Sequence, residues 1–93
     1  MDWLIQHDVD ATQFFVVVEG TRCVLDYQLQ GKRISITHTG VPAAVGGRGI
    51  AAMLTRAALN HARSAGWKVL PQCSYAAEFI QRHPEYADLV YRG

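Results

Sequence analysis

VPAAVGGRGIA, residues 41–51, is the stretch that decides the fold of this 93-residue chain. An apolar, alternating run ends at Val41, three glycines fall within four residues, and a helical pattern starts at Ile50. Glycine lets the backbone turn sharply and approach a ligand closely. The first amides of a helix have no partner within the helix, and the helix dipole adds partial positive charge there. The stretch predicts a strand–loop–helix junction that binds an anion, most often a phosphate, and Arg48 adds a formal positive charge. A glycine turn that feeds a helix without any ligand is the alternative.

Three segments upstream of this loop are apolar or alternate between apolar and polar residues. They are Phe14–Val18, Arg22–Leu29 and Arg33–Val41, separated by short connections that contain glycine. This pattern is typical of antiparallel strands joined as a meander. Residues 1–12 are polar and mixed, so we expect a loosely held lead-in there.

Downstream of the loop, apolar residues recur every three or four positions, which predicts an amphipathic helix over residues 49–65. The pattern of Lys68–Gln72 predicts a fourth strand, and the helix that crosses over between the two strands predicts that it runs parallel to the third. Ser74 is expected to cap a short helix through Ile80, which Pro84 stops. The predicted fold class is α/β: an antiparallel three-stranded meander, a crossover helix, a fourth strand parallel to the third and a short C-terminal helix.

Length and composition limit the class of protein. The length predicts one domain, residues 1–93, with one modest core. No apolar run approaches the ~20 residues of a membrane span, and the N-terminus lacks the features of a signal peptide, so we expect a cytoplasmic protein without a membrane partner. The net charge is +1 with the charges well mixed, which argues against a nucleic-acid partner. Four histidines and two cysteines show no ligand-like spacing, so no metal is expected.

Four motifs occur in a fixed order along the chain. They are His38-Thr39-x-Val41-Pro42, then Gly47-Arg48-Gly49-Ile50-Ala51, then Pro71-x-Cys73-Ser74-Tyr75, then His83-Pro84-Glu85-Tyr86 followed by Asp88-Leu89-Val90. In this order they resemble the small single-domain members of the GNAT (GCN5-related) N-acetyltransferase superfamily, over roughly residues 13–90. The resemblance implies a GNAT-like fold and a transfer of an acetyl group from acetyl-CoA to an amine that the sequence does not name.

The resemblance also implies a binding mode for the coenzyme. In GNAT proteins the two strands that flank the crossover helix splay, the pantetheine arm of coenzyme A lies in the gap, and the pyrophosphate lies on the glycine loop. The implied coenzyme-binding residues are Thr39, Val41, Gly47, Arg48, Gly49, Ile50, Ala51, Cys73 and Ser74. Pro71 agrees with a splayed strand because proline cannot donate to a ladder, although an edge-strand proline without a ligand gives the same pattern.

Cys73 and His38 are the candidate catalytic residues. Cys73 precedes the predicted short helix, whose N-terminus lowers the pKa of a thiol and favours the nucleophilic thiolate. Inert packing is the alternative for this cysteine. A histidine acts as a general base near neutral pH. However, His38 shares a strand face with Ile34 and Ile36, which favours a hydrogen-bonded core histidine.

Three positions depart from the general GNAT pattern. Gly46 stands where Arg or Gln opens the loop, Gly40 stands where small relatives usually have an acid, and no tyrosine lies near Phe79, where many of these enzymes place a general acid. The departures leave a second hypothesis open, a coenzyme A or acyl-CoA binding module without efficient catalysis. A third is a reactive-thiol or interaction protein that has lost the coenzyme. We expect the partners to be coenzyme A and an amine-bearing small molecule or protein, and the protein to be a monomer or a weak homodimer.

Overall fold

Five strands form a sheet in which the spatial order follows the chain order. The computed structural model describes residues 4–92. The strands are β1 (Gln6–Asp8), β2 (Gln13–Val18), β3 (Thr21–Gln30), β4 (Arg33–Gly40) and β5 (Lys68–Pro71). β1 to β4 are antiparallel neighbours, and β5 runs parallel to β4. The predicted meander and its parallel partner are therefore confirmed.

The strand β1 is an addition to the predicted four-stranded sheet. Its three residues pair with Gln13–Phe15, so the expectation of a loose lead-in over residues 1–12 is wrong for residues 6–8. The His7 ring stacks on Phe14 with a centroid distance of 4.0 Å, and its Nε2 lies 2.6 Å from the hydroxyl of Tyr27. Contacts with residues distant in sequence thus hold β1, and residues 1–3 lie outside the described part of the chain.

Two helices follow the meander, α1 (Ile50–Ala65) and α2 (Ser74–Arg82), together with two 3-10 segments at Ala43–Val45 and Pro84–Leu89. α1 ends at Ala65, and the C-cap residue Gly66 has a φ of 76° that lets its amide reach the carbonyls of the last turn. Both helices lie where the sequence predicted them, and α2 runs two residues past Ile80. After the second 3-10 segment, the Tyr91 amide donates to the Val69 carbonyl at 2.9 Å. The C-terminal tail therefore lies along the free edge of β5.

One face of the sheet packs against both helices and forms the core. On β3, for example, Cys23, Leu25 and Tyr27 are buried while the residues between them are not. Small side chains on α1, such as Ala58 and Ala62, are fully buried and let the helix approach the sheet closely. No helix in residues 4–92 covers the opposite face of the sheet, which we call the open face. Of the helices in this part of the chain, none combines the length and apolarity needed to cross a membrane.

Candidate active site

A gap opens between β4 and β5 halfway along β4. The parallel register runs from Arg33 opposite Lys68 to Ile36 opposite Pro71, and there it ends. The chain then turns away: the Gln72 amide donates to the carbonyl of Leu70, and the next amide donates back to the Ile36 carbonyl at 2.9 Å. In the described part of the chain no strand pairs with residues 37–40 on this side. The splay that Pro71 suggested is therefore present, and the edge of β4 formed by residues 37–40 faces a gap.

A β-bulge at Thr37 changes which side chains of β4 face the gap. Tyr27 lies opposite Ile36, but Asp26 lies opposite His38, so one residue of β4 is extra. The extra residue reverses the alternation, because side chains of a strand alternate with a period of two. His38 consequently lies exposed on the open face, and the expectation of a core histidine is wrong.

The same bulge brings Thr39 to the helix-covered side, next to Cys73. The Cys73 thiol donates to Thr39 Oγ1 across the gap, with a sulfur–oxygen distance of 3.6 Å. Cys73 is half-buried, and its extended backbone makes it the N-cap residue of α2. Ser74 is therefore the first residue of α2 and not its predicted cap. The structure thus brings together two predicted site residues that are 34 positions apart.

The surroundings of Cys73 favour its thiolate. Burial alone would raise the pKa of this thiol, but hydrogen bonding to the amides of Ala76 and Tyr75 and to Thr39 outweighs burial and lowers the pKa below its ordinary value. The other thiol, Cys23, is fully buried in the core, and burial raises its pKa. Both cysteines are free. The pKa values of the two thiols are therefore shifted in opposite directions by their environments.

The glycine loop leads from β4 into α1 and leaves the first turn of the helix uncapped. Gly47 and Gly49 have φ values of 78° and 76°, the left-handed region that favours glycine. Gly49 is the N-cap of α1, and no side chain caps the helix and no acidic residue lies in its first turn. Ile50 is buried, while Ala51 is half-buried. The amides at this end of α1 therefore remain available to an anion.

The Arg48 side chain is engaged with an acid from the β2–β3 turn. Its guanidinium donates to both carboxylate oxygens of Glu19, at 2.6 and 3.3 Å. This ion pair lowers the pKa of Glu19 and raises that of Arg48, and both side chains are exposed. Sequence reasoning missed Glu19, because no local signal links a hairpin turn to a loop 29 residues away. The positive charge of Arg48 therefore lies at the loop but is paired with the carboxylate of Glu19.

The two glycine departures have different structural consequences. Gly46 has an extended backbone, with φ of −67°, and a Cβ built on it would lie 3.5 Å from the nearest atom, an ordinary contact. A Cβ on Gly40, in contrast, would lie 2.9 Å from Nε2 of His38. The His38 ring therefore occupies the space beside Gly40.

The remaining predicted residues lie along the same path. Val41 is half-buried against the core and joins the open edge of β4 to the loop. The edge of β4 thus runs from Thr39, which contacts Cys73, through Val41 into the loop that ends at Gly49, the N-cap of α1. His38 lies on the open face. Across residues 4–92, no cluster of three or more His, Cys, Asp or Glu side chains is arranged to hold a metal ion.

A sheet whose parallel pair splays beside a glycine loop and an uncapped helix defines the GNAT class of fold. The sequence model of the GCN5-related N-acetyl-transferase family matches residues 13–89. Protein NATD1 of Mus musculus is 39% identical over 83 residues, which cover 86% of this chain and 76% of that protein. Protein NATD1 of Danio rerio is 32% identical over 91 residues, or 92% of this chain and 83% of that protein.

A solved structure agrees with the sequence relatives. The solution NMR structure of a GCN5-like protein from Staphylococcus aureus aligns with a TM-score of 0.75 and 25% identity, covering 95% of this chain and 87% of that one. The chain therefore belongs to the GCN5-related N-acetyltransferase family, as the four motifs indicated.

Proposed function

We propose that this protein binds acetyl-CoA in the gap between β4 and β5 and transfers its acetyl group to an amine. The observation that carries the proposal is the unpaired edge of β4, where Thr39 contacts the Cys73 thiol and beyond which the glycine loop leads to the uncapped N-terminus of α1. Amides of residues 47–51 would hold the pyrophosphate, and Thr39 and Val41 would line the pantetheine arm. The thioester would then lie beside Cys73 and Ser74. Family membership supports acetyl-CoA as the donor.

Two routes for the acetyl group are compatible with this arrangement. In the covalent route, the Cys73 thiolate attacks the thioester carbonyl, the bond to the coenzyme sulfur breaks, and the coenzyme leaves as its thiolate. The acceptor amine then attacks the acetyl-Cys73 thioester and releases the Cys73 thiolate, while the proton lost by the amine passes to a base. The lowered pKa of Cys73 and its exposure to the gap favour this route.

In the direct route, the amine itself attacks the thioester carbonyl of acetyl-CoA. The imidazole of His38 takes the proton that the amine loses, and the coenzyme leaves as its thiolate. His38 occupies the space beside Gly40, lies directly opposite the carboxylate-bearing Asp26, and is open to solvent. An amine that approaches from the open face would meet this pair first. In the direct route, His38 thus acts as the general base that a carboxylate at position 40 would otherwise provide.

A binding module without efficient turnover is the second candidate function. Three observations favour it: Gly40 carries no acid, Phe79 and Ile80 are buried where a general acid is expected, and His38 and Cys73 lie on different faces of the sheet. Such a protein would bind coenzyme A or an acyl-CoA by the same loop and gap. Turnover measurements, and not binding measurements, separate this candidate from the enzyme.

Titration with acetyl-CoA tests both candidates at once. Binding at 100 times the dissociation constant should stabilise the folded protein by about 2.7 kcal/mol and raise its Tm by roughly 11–22 °C. A Tm that does not move at millimolar acetyl-CoA would contradict both and leave the reactive-thiol or interaction protein as the remaining hypothesis. If binding is found, release of the free coenzyme thiol is followed with a panel of amines and peptides. Release that depends on the amine identifies an enzyme.

The role of Cys73 is tested by mass spectrometry. In the covalent route, acetyl-CoA should leave one acetyl group on Cys73 that hydroxylamine removes, and Cys73→Ala should lose the adduct and the activity while keeping its affinity for coenzyme A. Cys23 is the internal control, because its buried thiol should not react. Full activity in Cys73→Ala would exclude the covalent route, and loss of activity in His38→Gln would then support the direct one.

A further inference from the structure

A cluster of rings holds β1 against the core, at the edge of the sheet opposite β5. The His7 ring stacks on Phe14 at 4.0 Å with planes 10° apart, and its Nε2 lies 2.6 Å from the hydroxyl of Tyr27. The ring of His61, on α1, meets the His7 ring edge-on with a centroid distance of 4.7 Å, and Trp67 lies 5.0 Å from His61. Two histidines therefore touch inside one cluster, and the acetyl-transfer site described above uses neither of them.

The segment that contains β1, residues 4–11, has little other support. Leu4 and Val9 are 78% and 66% exposed, so these two apolar side chains bury little surface. A groove of about 530 Å³ is lined by residues 4–10 and Phe15, which leaves the segment incompletely packed on that side. Ile5 does pack against the core. The attachment of the segment therefore depends largely on Ile5 and on the ring of His7.

We propose that residues 4–11 form a flap that is closed at neutral pH and that protonation of His7 releases. The hinge is the turn between β1 and β2, where Thr12 has a φ of 50°, in the left-handed region that few residues other than glycine adopt. The Thr12 carbonyl accepts from the Tyr27 amide at 3.0 Å, so β3 holds the hinge in place. The flap opens about this point while β2 stays paired with β3. Opening uncovers the edge of β2 that β1 covers.

The groups around His7 disfavour its charged form. Burial and then the charge of His61 lower the pKa of His7, and the neighbouring Asp8 raises this pKa by less. Phe14 carries no charge, and the Tyr27 hydroxyl donates to a neutral imidazole as readily as it accepts from a charged one, so neither contact distinguishes the two states. In an open flap His7 lies in water, with the ordinary pKa of about 6.5. The closed flap is therefore fully stable above this pH and loses up to about tenfold in population ratio per pH unit below it.

Amide hydrogen exchange, followed by NMR between roughly pH 5 and pH 7.5, tests the flap. The amides that pair β1 with β2 are compared with those that pair β3 with β4, after correction for the intrinsic pH dependence of exchange. Below about pH 6.5 the open population at β1 should rise by up to about tenfold per pH unit, while β3 and β4 keep their protection. Constant protection of β1 would refute the flap. Equal loss of protection in both pairs would also refute it, since the whole fold would then be opening.

Three substitutions assign the pH dependence to His7. His7→Gln keeps a hydrogen-bonding group but gains no charge, so the pH dependence at β1 should disappear; its survival would refute the proposal. If His7→Gln opens the flap at every pH, His61→Gln decides, because it leaves His7 in place and should weaken the pH dependence by removing the like charge. An unchanged dependence in His61→Gln would then refute the proposal. His83→Gln is the matched control, since His83 also stacks on a phenylalanine at 4.0 Å and should leave β1 as in the parent. These measurements use the protein without coenzyme, so their outcome is independent of the proposed function.

Discussion

Substitution of Gly49 by glutamate is the most direct test of the phosphate site. Gly49 has a φ of 76°, and a Cβ built on it would meet no atom within 4 Å. A side chain therefore fits in open space, and its local cost is that of a left-handed backbone, roughly 1–2 kcal/mol for a residue other than glycine. A carboxylate near the N-terminus of α1 offsets part of this cost by interacting with the helix dipole. We expect Gly49→Glu to fold.

The same substitution should weaken coenzyme binding by a calculable amount. A negative charge about 5 Å from a phosphate raises the binding free energy by roughly 1 kcal/mol at the dielectric constant of water and by about 3 kcal/mol at an effective value of 20. Since every 1.4 kcal/mol is tenfold, the Kd for coenzyme A should rise roughly 5- to 150-fold. The bulk of the side chain adds to this effect, because the backbone at this position must approach the ligand closely.

Gly31→Glu is the matched control. Gly31 lies in the β3–β4 turn with a φ of 60°, and a Cβ there would also meet no atom within 4 Å. The Gly31→Glu substitution introduces the same charge and a similar backbone strain, but near the end of β4 that is remote from the glycine loop. Both variants should lose Tm by roughly 4–8 °C per kcal/mol of strain, but calorimetry should show weaker coenzyme binding only in Gly49→Glu. Parental affinity in Gly49→Glu, or equal loss in both variants, would refute the location of the phosphate site.

Three further predictions concern the surroundings of this site and the stability of the fold. Gly46→Gln should fold without strain, since its Cβ would make only a 3.5 Å contact. It should lower the Kd for coenzyme A severalfold, because the glutamine side chain adds a hydrogen-bond donor at the loop. A higher Kd would contradict this. Glu19→Gln should release the Arg48 guanidinium from its ion pair and tighten coenzyme binding at low salt, with the difference vanishing at high salt, as parallel titrations would show. Burial and then the neighbouring His61 lower the pKa of His7, so near neutral pH the unfolded chain binds more protons than the folded one. The unfolding free energy should therefore fall as the pH drops below about 6.5, the pKa of histidine in the unfolded chain. Urea unfolding at several pH values checks this, and His7→Gln should flatten the dependence.

The elements that the sequence predicted are those whose own residues carry a periodic pattern. On β3, Cys23, Leu25 and Tyr27 are buried and the residues between them are only half-buried, a period of two that the sequence shows directly. α1 is predicted equally well, because its apolar residues recur every three or four positions over 16 residues. Local pattern and tertiary burial agree in these elements, so their type, order and approximate bounds follow from the sequence.

β1 was missed because nothing within it distinguishes a strand from a lead-in. It has three residues, and the pairing of His7 with Phe14 and the contact of its ring with Tyr27 are made across the sheet. Three residues cannot display an alternation, and a strand this short depends on its neighbours for stability. The same reasoning applies to the contact between Glu19 and Arg48, which depends on how the sheet places a turn beside a loop.

The most consequential error concerns one residue of β4, and it reorganises the candidate site. Strict alternation from Ile36 puts His38 in the core and Thr39 on the opposite face; the bulge at Thr37 exchanges them. A bulge has no reliable signature in a single sequence, because it is a property of two strands in register. Its effect is to place Thr39 beside Cys73 on the helix-covered side while His38 faces the open side. The two candidate catalytic groups then approach the gap from opposite faces of the sheet. In the proposed function, a donor bound on the helix-covered side and an acceptor that arrives from the open face would meet between these two groups.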